Sequence, residues 1–223
     1  MSIAAERYSR IAIWMHWLVA LGILANLFIG FTMDSLFPRS RGTVIFVHAS
    51  IGMTVLALVA LRIFWRVTHA PPPFPETVPG WERHGAHLGH FFLYAMMLLL
   101  PVSGWAILST SPPAGSQGAA AAKSLGVDAH PNDGISVWGL FKAPVIEPIN
   151  ALGAKPEGVR PQAELHGKLE ELHEAGSWIM LLLVALHLGA ALKHQFADKW
   201  NIFARMGIGG NRSPLAAADE EQI

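Results

Sequence analysis

The sequence predicts an all-α membrane protein, a bundle of four transmembrane helices, on three observations. Hydrophobic residues make up 52% of the 223-residue chain and charged residues 14%, well below the roughly one-quarter charged share of a soluble domain. Four apolar runs reach the length of about 20 residues that a helix needs to cross a bilayer. Within those runs sit His16, His48, His173 and His187, in a medium where an ionisable side chain is costly and marks a function.

The first span is expected at 11–33 (IAIWMHWLVALGILANLFIGFTM). It carries Trp14, His16 and Trp17 at its mouth and lacks a small-residue cleavage site, so it reads as a span and not as a removed leader. The second is expected at 44–66. Residues 67–83 (VTHAPPPFPETVPGWER) are expected to form a proline-rich, non-helical link, with His69 in it and His84 at its end both expected to be solvated. The third span is expected at 87–109 and the fourth at 173–194.

Between these last two lies a long loop, 110–172. Its first part, 110–135, is rich in Pro, Gly, Ala and Ser and is expected to be mobile. The stretch 135–149 (ISVWGLFKAPVIEPI) is too short to span; it reads as an interfacial segment anchored by Trp138 and Phe141. ELHGKLEELHE (164–174) has helical periodicity and is expected to extend the fourth helix above the membrane. One domain covers 1–208, and 209–223 is a flexible tail.

Charge sets the expected orientation. Arg7, Arg10, Arg62, Arg66, Arg83, Lys193, Lys199, Arg205 and Arg212 fall at one end of an even-numbered bundle. The short loop at the other end has only Arg39 and Arg41. The bias of basic residues toward the cytoplasm then places both termini, and the 209–223 tail, there. Composition also excludes classes of function. The net charge of zero argues against nucleic acid as a partner. The absence of cysteine removes disulfides, thiolate zinc sites, iron–sulfur clusters and haem attached through C-x-x-C-H.

The histidines fall into two levels. His173 and His187 are 14 residues apart, close to four helical turns, so they share a face and are separated by roughly 21 Å. His48 on the second span enters from the same end as His173, and His16 on the first lies level with His187. Two pairs of facing imidazoles are what two b haems in the core of a bundle need. Small residues beside the outer pair (Ser50, Gly52, Ala175, Gly176 and Ser177) let a flat ring approach the backbone. The bland alternative is that each histidine is packed and bonded to a neighbouring helix. A zinc site wants three or four ligands converging on one point, and these separate into two levels.

The chain resembles the bacterial di-haem cytochrome b561 proteins. The resemblance is carried by RYSRIAIWMHWLV (7–19), FPRS (37–40), HASIG (48–52), Arg62, AHLGH (86–90) and HEAGSWIMLLLVALH (173–187). It implies iron ligation by His16 and His187 at an inner haem and by His48 and His173 at an outer one. It also implies a quinone-coupled redox protein of the inner membrane; one branch of the family oxidises superoxide and reduces ubiquinone. The long 110–172 loop departs from the family's compact pattern and bears on the outer partner.

At the outer mouth, Arg39 and Arg41 would draw a small anion such as superoxide. Their alternative role is to pair with lipid headgroups or haem propionates. At the inner end, Arg62 and Arg66 are candidates for propionates, with snorkelling to headgroups as the alternative. His87, His90 and His194 are candidate quinone contacts, His194 foremost because it lies seven residues beyond His187. His130 and His166 fall outside the membrane and take no role. Three functions follow: a superoxide–ubiquinone oxidoreductase, a non-catalytic subunit linking quinone to a periplasmic redox protein, and a metal or proton transporter.

Overall fold

The structure is a computed structural model that describes residues 7–74, 78–128, 134–200 and 202–209. Helix α1 (Arg10–Leu36) starts where the Ser9 hydroxyl accepts from the Ala12 amide, at 3.2 Å. A single turn at Pro38–Ser40 reverses the chain into α2 (Arg41–Thr68). Helix α3 is Gly80–Leu108. Then come α4 (Gln117–Ala122), the antiparallel strands β1 (Ile135–Val137) and β2 (Phe141–Ala143), and α5 (Glu147–Leu152). Helix α6 (Pro156–Leu192) runs into a π-helical turn, Lys193–Ala197, and α7 (Ile202–Arg205) follows.

Four helices, α1, α2, α3 and α6 with its π turn, are long and apolar enough to cross a membrane. Between 11% and 22% of their most apolar windows is buried inside the protein. The rest, including Leu21, Phe28, Leu61, Phe91 and Leu182, faces outward. Such surface on a monomer calls for lipid. Helix α1 packs on α2, α2 on α3, and α3 on α6. Phe31 of α1 meets Trp178 of α6, ring centroids 4.6 Å apart, which closes the ring. Gly22 lies so close to α2 that a Cβ there would stand 2.6 Å from Val55 Cγ2. Inside, Val19, Leu27, Val55, Val59, Met97 and Met180 form the buried layer. Met180 is midway along α6 between His173 and His187, so this layer separates the two histidine levels.

Helix α6, at 37 residues, is about 55 Å long and outruns a hydrocarbon core of about 30 Å. Its first four turns stand beyond the bundle and carry α4 and α5. There buried Gln162 donates to the Ile149 and Asn150 carbonyls at 2.9 and 3.1 Å. The hairpin β1–β2 lies across α2 and α3, with Ile135, Val137 and Ala143 against Met53, Trp105 and Leu108. Trp138 takes a left-handed φ of 55°, an uncommon state for a bulky residue. It is held by two bonds to α2: its amide donates to Ser50 Oγ (3.0 Å) and its indole to Thr54 Oγ1 (2.9 Å).

At the opposite end, the Tyr8 amide donates to the Arg205 carbonyl and the Trp17 indole to the Met206 carbonyl. The Arg205 guanidinium donates to Pro72 and Pro73. This straps the α2–α3 link and both described chain ends together.

Several boundaries differ from those expected from sequence. Helix α3 begins seven residues before 87, so His84 is helical and its Nδ1 bonds the Gly80 carbonyl at 2.7 Å. Helix α6 begins at Pro156, well before 164, because proline suits a first helical turn. The 110–135 stretch carries α4, and 135–149 is a hairpin running into α5. His130, Arg212 and the tail beyond Gly209 lie outside the described residues.

Candidate cofactor site

Helices α1, α2 and α6 bring the four histidines together two by two. His48 of α2 faces His173 of α6 with ring centroids 6.1 Å apart. His16 of α1 faces His187 of α6 at 6.3 Å. A metal between two imidazoles needs about 2 Å of bond and roughly 1 Å from nitrogen to ring centre on each side, or about 6 Å in all. Both pairs have that spacing. Each pair is half-buried, as a site with an open edge for a macrocycle requires.

The surroundings of the outer pair fit a flat group. A Cβ on Gly30 of α1 would stand 3.5 Å from His48 Cε1, and one on Gly104 of α3 would stand 3.4 Å from His173 Cε1. Glycine at both positions leaves the rings no side chain to avoid. Ser50 next to this pair is wholly buried and receives the Trp138 amide, which brings the hairpin over this level of the bundle. His48 lies against the Asn26 backbone carbonyl of α1. His173 Nδ1 instead lies 2.8 Å from Ser103 Oγ of α3. Gly30, Gly104 and Ser103 were not identified from sequence; their only signal is their spacing against the histidines once the helices are paired.

A third imidazole joins the inner level. His90 of α3 stands 5.6 Å from His187 in an edge-on arrangement, and its Nδ1 donates to the Ala86 carbonyl at 2.7 Å. His90 as a residue is exposed on α3. His87, grouped with His90 by sequence spacing, turns instead to Phe74 of the link, at 5.5 Å. Arg62 Nε donates to the Tyr94 hydroxyl at 3.0 Å and lies within electrostatic reach of His16, His90 and His187. Arg66 is exposed, within reach of His90.

His194 is not brought beside His87 or His90 by any contact among the described residues. The π turn rotates it away from the α-helical register. Its Nδ1 donates to Asp198 at 2.6 Å and its ring stacks on Trp200. Asp198 and Glu82 both receive the Lys193 ammonium, at 2.8 and 2.9 Å. Donor atoms of Glu82, His194 and Asp198 lie within 4.8 Å of one another, yet Lys193 already supplies the cation. Hydrogen bonds from Lys193 and then His194 hold the Asp198 carboxyl below its ordinary range, which keeps it ionised at neutral pH.

At the outer mouth the two arginines differ. Arg41 Nε is paired with Asp34 at 2.8 Å, both side chains exposed. No described residue pairs with Arg39, which lies in the turn between α1 and α2. Sequence alone does not reveal the pairing of Arg41 with Asp34. Of the remaining histidines, His69 stacks on Trp65, and His166 bonds Thr110 and Glu170 on the outer part of α6.

The chain is similar to known proteins of one family. The family model described as prokaryotic cytochrome b561 matches residues 7–209. Cytochrome b561 homolog 2 of Escherichia coli (strain K12) is 30% identical over 208 residues, 90% of this chain and 91% of the relative. Cytochrome b561 homolog 1 of the same organism is 25% identical over 204 residues, 90% of this chain and 97% of the relative. A probable superoxide oxidase CybB of Yersinia pestis is 30% identical over 104 residues, 46% of this chain and 58% of the relative.

Proposed function

The chain belongs to the prokaryotic cytochrome b561 family, membrane proteins that bind haem b and transfer electrons, and we propose that it is a di-haem member oxidising superoxide and reducing ubiquinone. The observation that carries this reading is the pair of imidazole pairs, 6.1 and 6.3 Å between centroids, on two levels of one bundle. His48 and His173 hold the outer haem; His16 and His187 hold the inner one. A haem with imidazole on both faces exchanges single electrons and leaves no open coordination position. Arg62 and Arg66 serve its propionates at the inner level. The bias of basic residues toward the terminal end supports cytoplasmic termini, and the family supports a bacterial inner membrane.

At the outer mouth the chain supplies a positive charge. Two superoxide anions each lose one electron and leave as dioxygen. At the inner level one ubiquinone takes both electrons and two protons and leaves as ubiquinol. His90 is the favoured quinone contact, in place of His194: it is exposed to lipid, where quinone is dissolved, and adjoins His187. Its Nδ1–H is fixed on Ala86, so Nε2 is left as the proton-exchanging atom.

The second reading, a subunit that links quinone to a periplasmic redox protein, is favoured by the structured cap of α4, α5 and the hairpin. It predicts co-purification of a redox partner. Family membership argues against a metal or proton transporter. The direct test is a reduced-minus-oxidised spectrum with haem quantitation on purified protein. Two b haems per chain, reduced by superoxide with no other protein present, support the proposal; an absent b-type spectrum overturns it.

The arginine pair yields a graded prediction. Asp34 offsets Arg41, so Arg39→Glu is expected to slow superoxide oxidation severalfold at low salt, and Arg41→Glu less. Both effects shrink as ionic strength rises. Stopped-flow reduction by superoxide across a salt series checks it; equal rates for both variants and wild type would remove the steering role.

A further inference from the structure

We propose that Ser103 is a positioning residue that fixes the tautomer of His173 and lowers the reduction potential of the outer haem. This rests on the reading that His48 and His173 hold that haem. The serine hydroxyl has one proton to give and two neighbours that could take it. Ser103 Oγ lies 2.8 Å from the Leu100 carbonyl and 2.8 Å from His173 Nδ1. With Nε2 given to iron, Nδ1 carries the proton of the His173 ring and donates it to Ser103 Oγ, whose own proton goes to the Leu100 carbonyl. The Leu100 carbonyl also lies beside the ring, and both acceptors favour the tautomer whose Nε2 lone pair is free for iron.

The geometry around this bond is built to allow it. Gly104 presents only hydrogen to the His173 ring, where a Cβ would stand 3.4 Å from Cε1. Gly176 of α6 brings the same two helices together; a Cβ there would stand 3.0 Å from Leu100 Cδ2. His173 can therefore lie flat enough on α3 for Nδ1 to reach Ser103. The opposite ligand differs, because His48 meets a backbone carbonyl, that of Asn26, and no hydroxyl. Of the two ligands, His173 is the one whose donor strength a side chain sets, and so the one where a substitution can remove that bond. Such partners orient a metal-bound imidazole and raise its donor strength. A stronger donor favours ferric over ferrous iron.

Ser103→Ala and Ser103→Thr test this, each purified as full-length protein with both haems counted and titrated. Threonine keeps the hydroxyl. The expected result is two haems in each variant, with the outer potential raised in Ser103→Ala, unchanged in Ser103→Thr, and the inner potential unmoved in both. A tenfold change in the ferric-to-ferrous ratio at fixed potential corresponds to about 59 mV. The low-spin ferric resonance of the outer haem shifts in Ser103→Ala alone. Loss of the outer haem in Ser103→Ala but not in Ser103→Thr also supports the role, since metal affinity falls about 10- to 100-fold when such partners are removed. An unmoved outer potential in Ser103→Ala overturns it, as does an equal change in both variants. Failure of the underlying haem reading is distinguishable: His173→Ala would then keep the full haem content of the wild type.

Discussion

His173→Ala is expected to purify with one b haem per chain where the wild type has two, and the remaining haem to be the inner one. The ring of His173 supplies one side of a gap 6.1 Å between centroids, and no other histidine of the described residues stands at that level. Alanine leaves His48 as a single ligand. His48→Ala should have the same outcome, and the double variant should lose no more than either single one, because the two residues act as a unit. Haem quantitation by pyridine haemochrome, with the redox titration collapsing to a single wave, measures the result. Two haems retained in either single variant would remove this pair as ligands.

The histidine pairs were legible because they follow from arithmetic: a 14-residue interval on one helix fixes a shared face without any knowledge of packing. The spans were legible for a similar reason, since bilayer thickness sets their length. What sequence could not supply were relations between elements. Pro156 opens α6, in a first turn where its missing amide is no loss, and the helix continues through Pro161. The 135–149 stretch reads as a short apolar run. It becomes a hairpin because Ser50 and Thr54, far away in the chain, accept from Trp138. Ser103 looks like any serine in a membrane helix until α6 lays His173 beside it. His194 shows the converse failure. Its spacing from His187 assumed 3.6 residues per turn, and the π turn at Lys193–Ala197 breaks that register.

The inner level poses the sharper test, because three imidazoles meet there and iron between two of them needs only two. His16→Ala is expected to drop the haem count from two to one, whereas His90→Ala should keep both haems and slow quinone reduction by about 10²-fold or more, the usual worth of a placed proton donor. Geometry separates the two roles. His16 and His187 stand 6.3 Å apart, matching the outer pair to within a few tenths of an ångström. His90 stands closer to His187, at 5.6 Å and edge-on, and is exposed on α3. A ligand belongs inside the bundle, and a residue that meets a lipid-soluble substrate belongs on its rim. In His90→Ala, superoxide should still reduce both haems at the wild-type rate, while their reoxidation by ubiquinone slows. Stopped-flow spectra at one haem wavelength resolve the two halves in a single experiment. If His90→Ala loses a haem while His16→Ala keeps both, then α3 and not α1 supplies the inner ligand, and the quinone must be met by some other group.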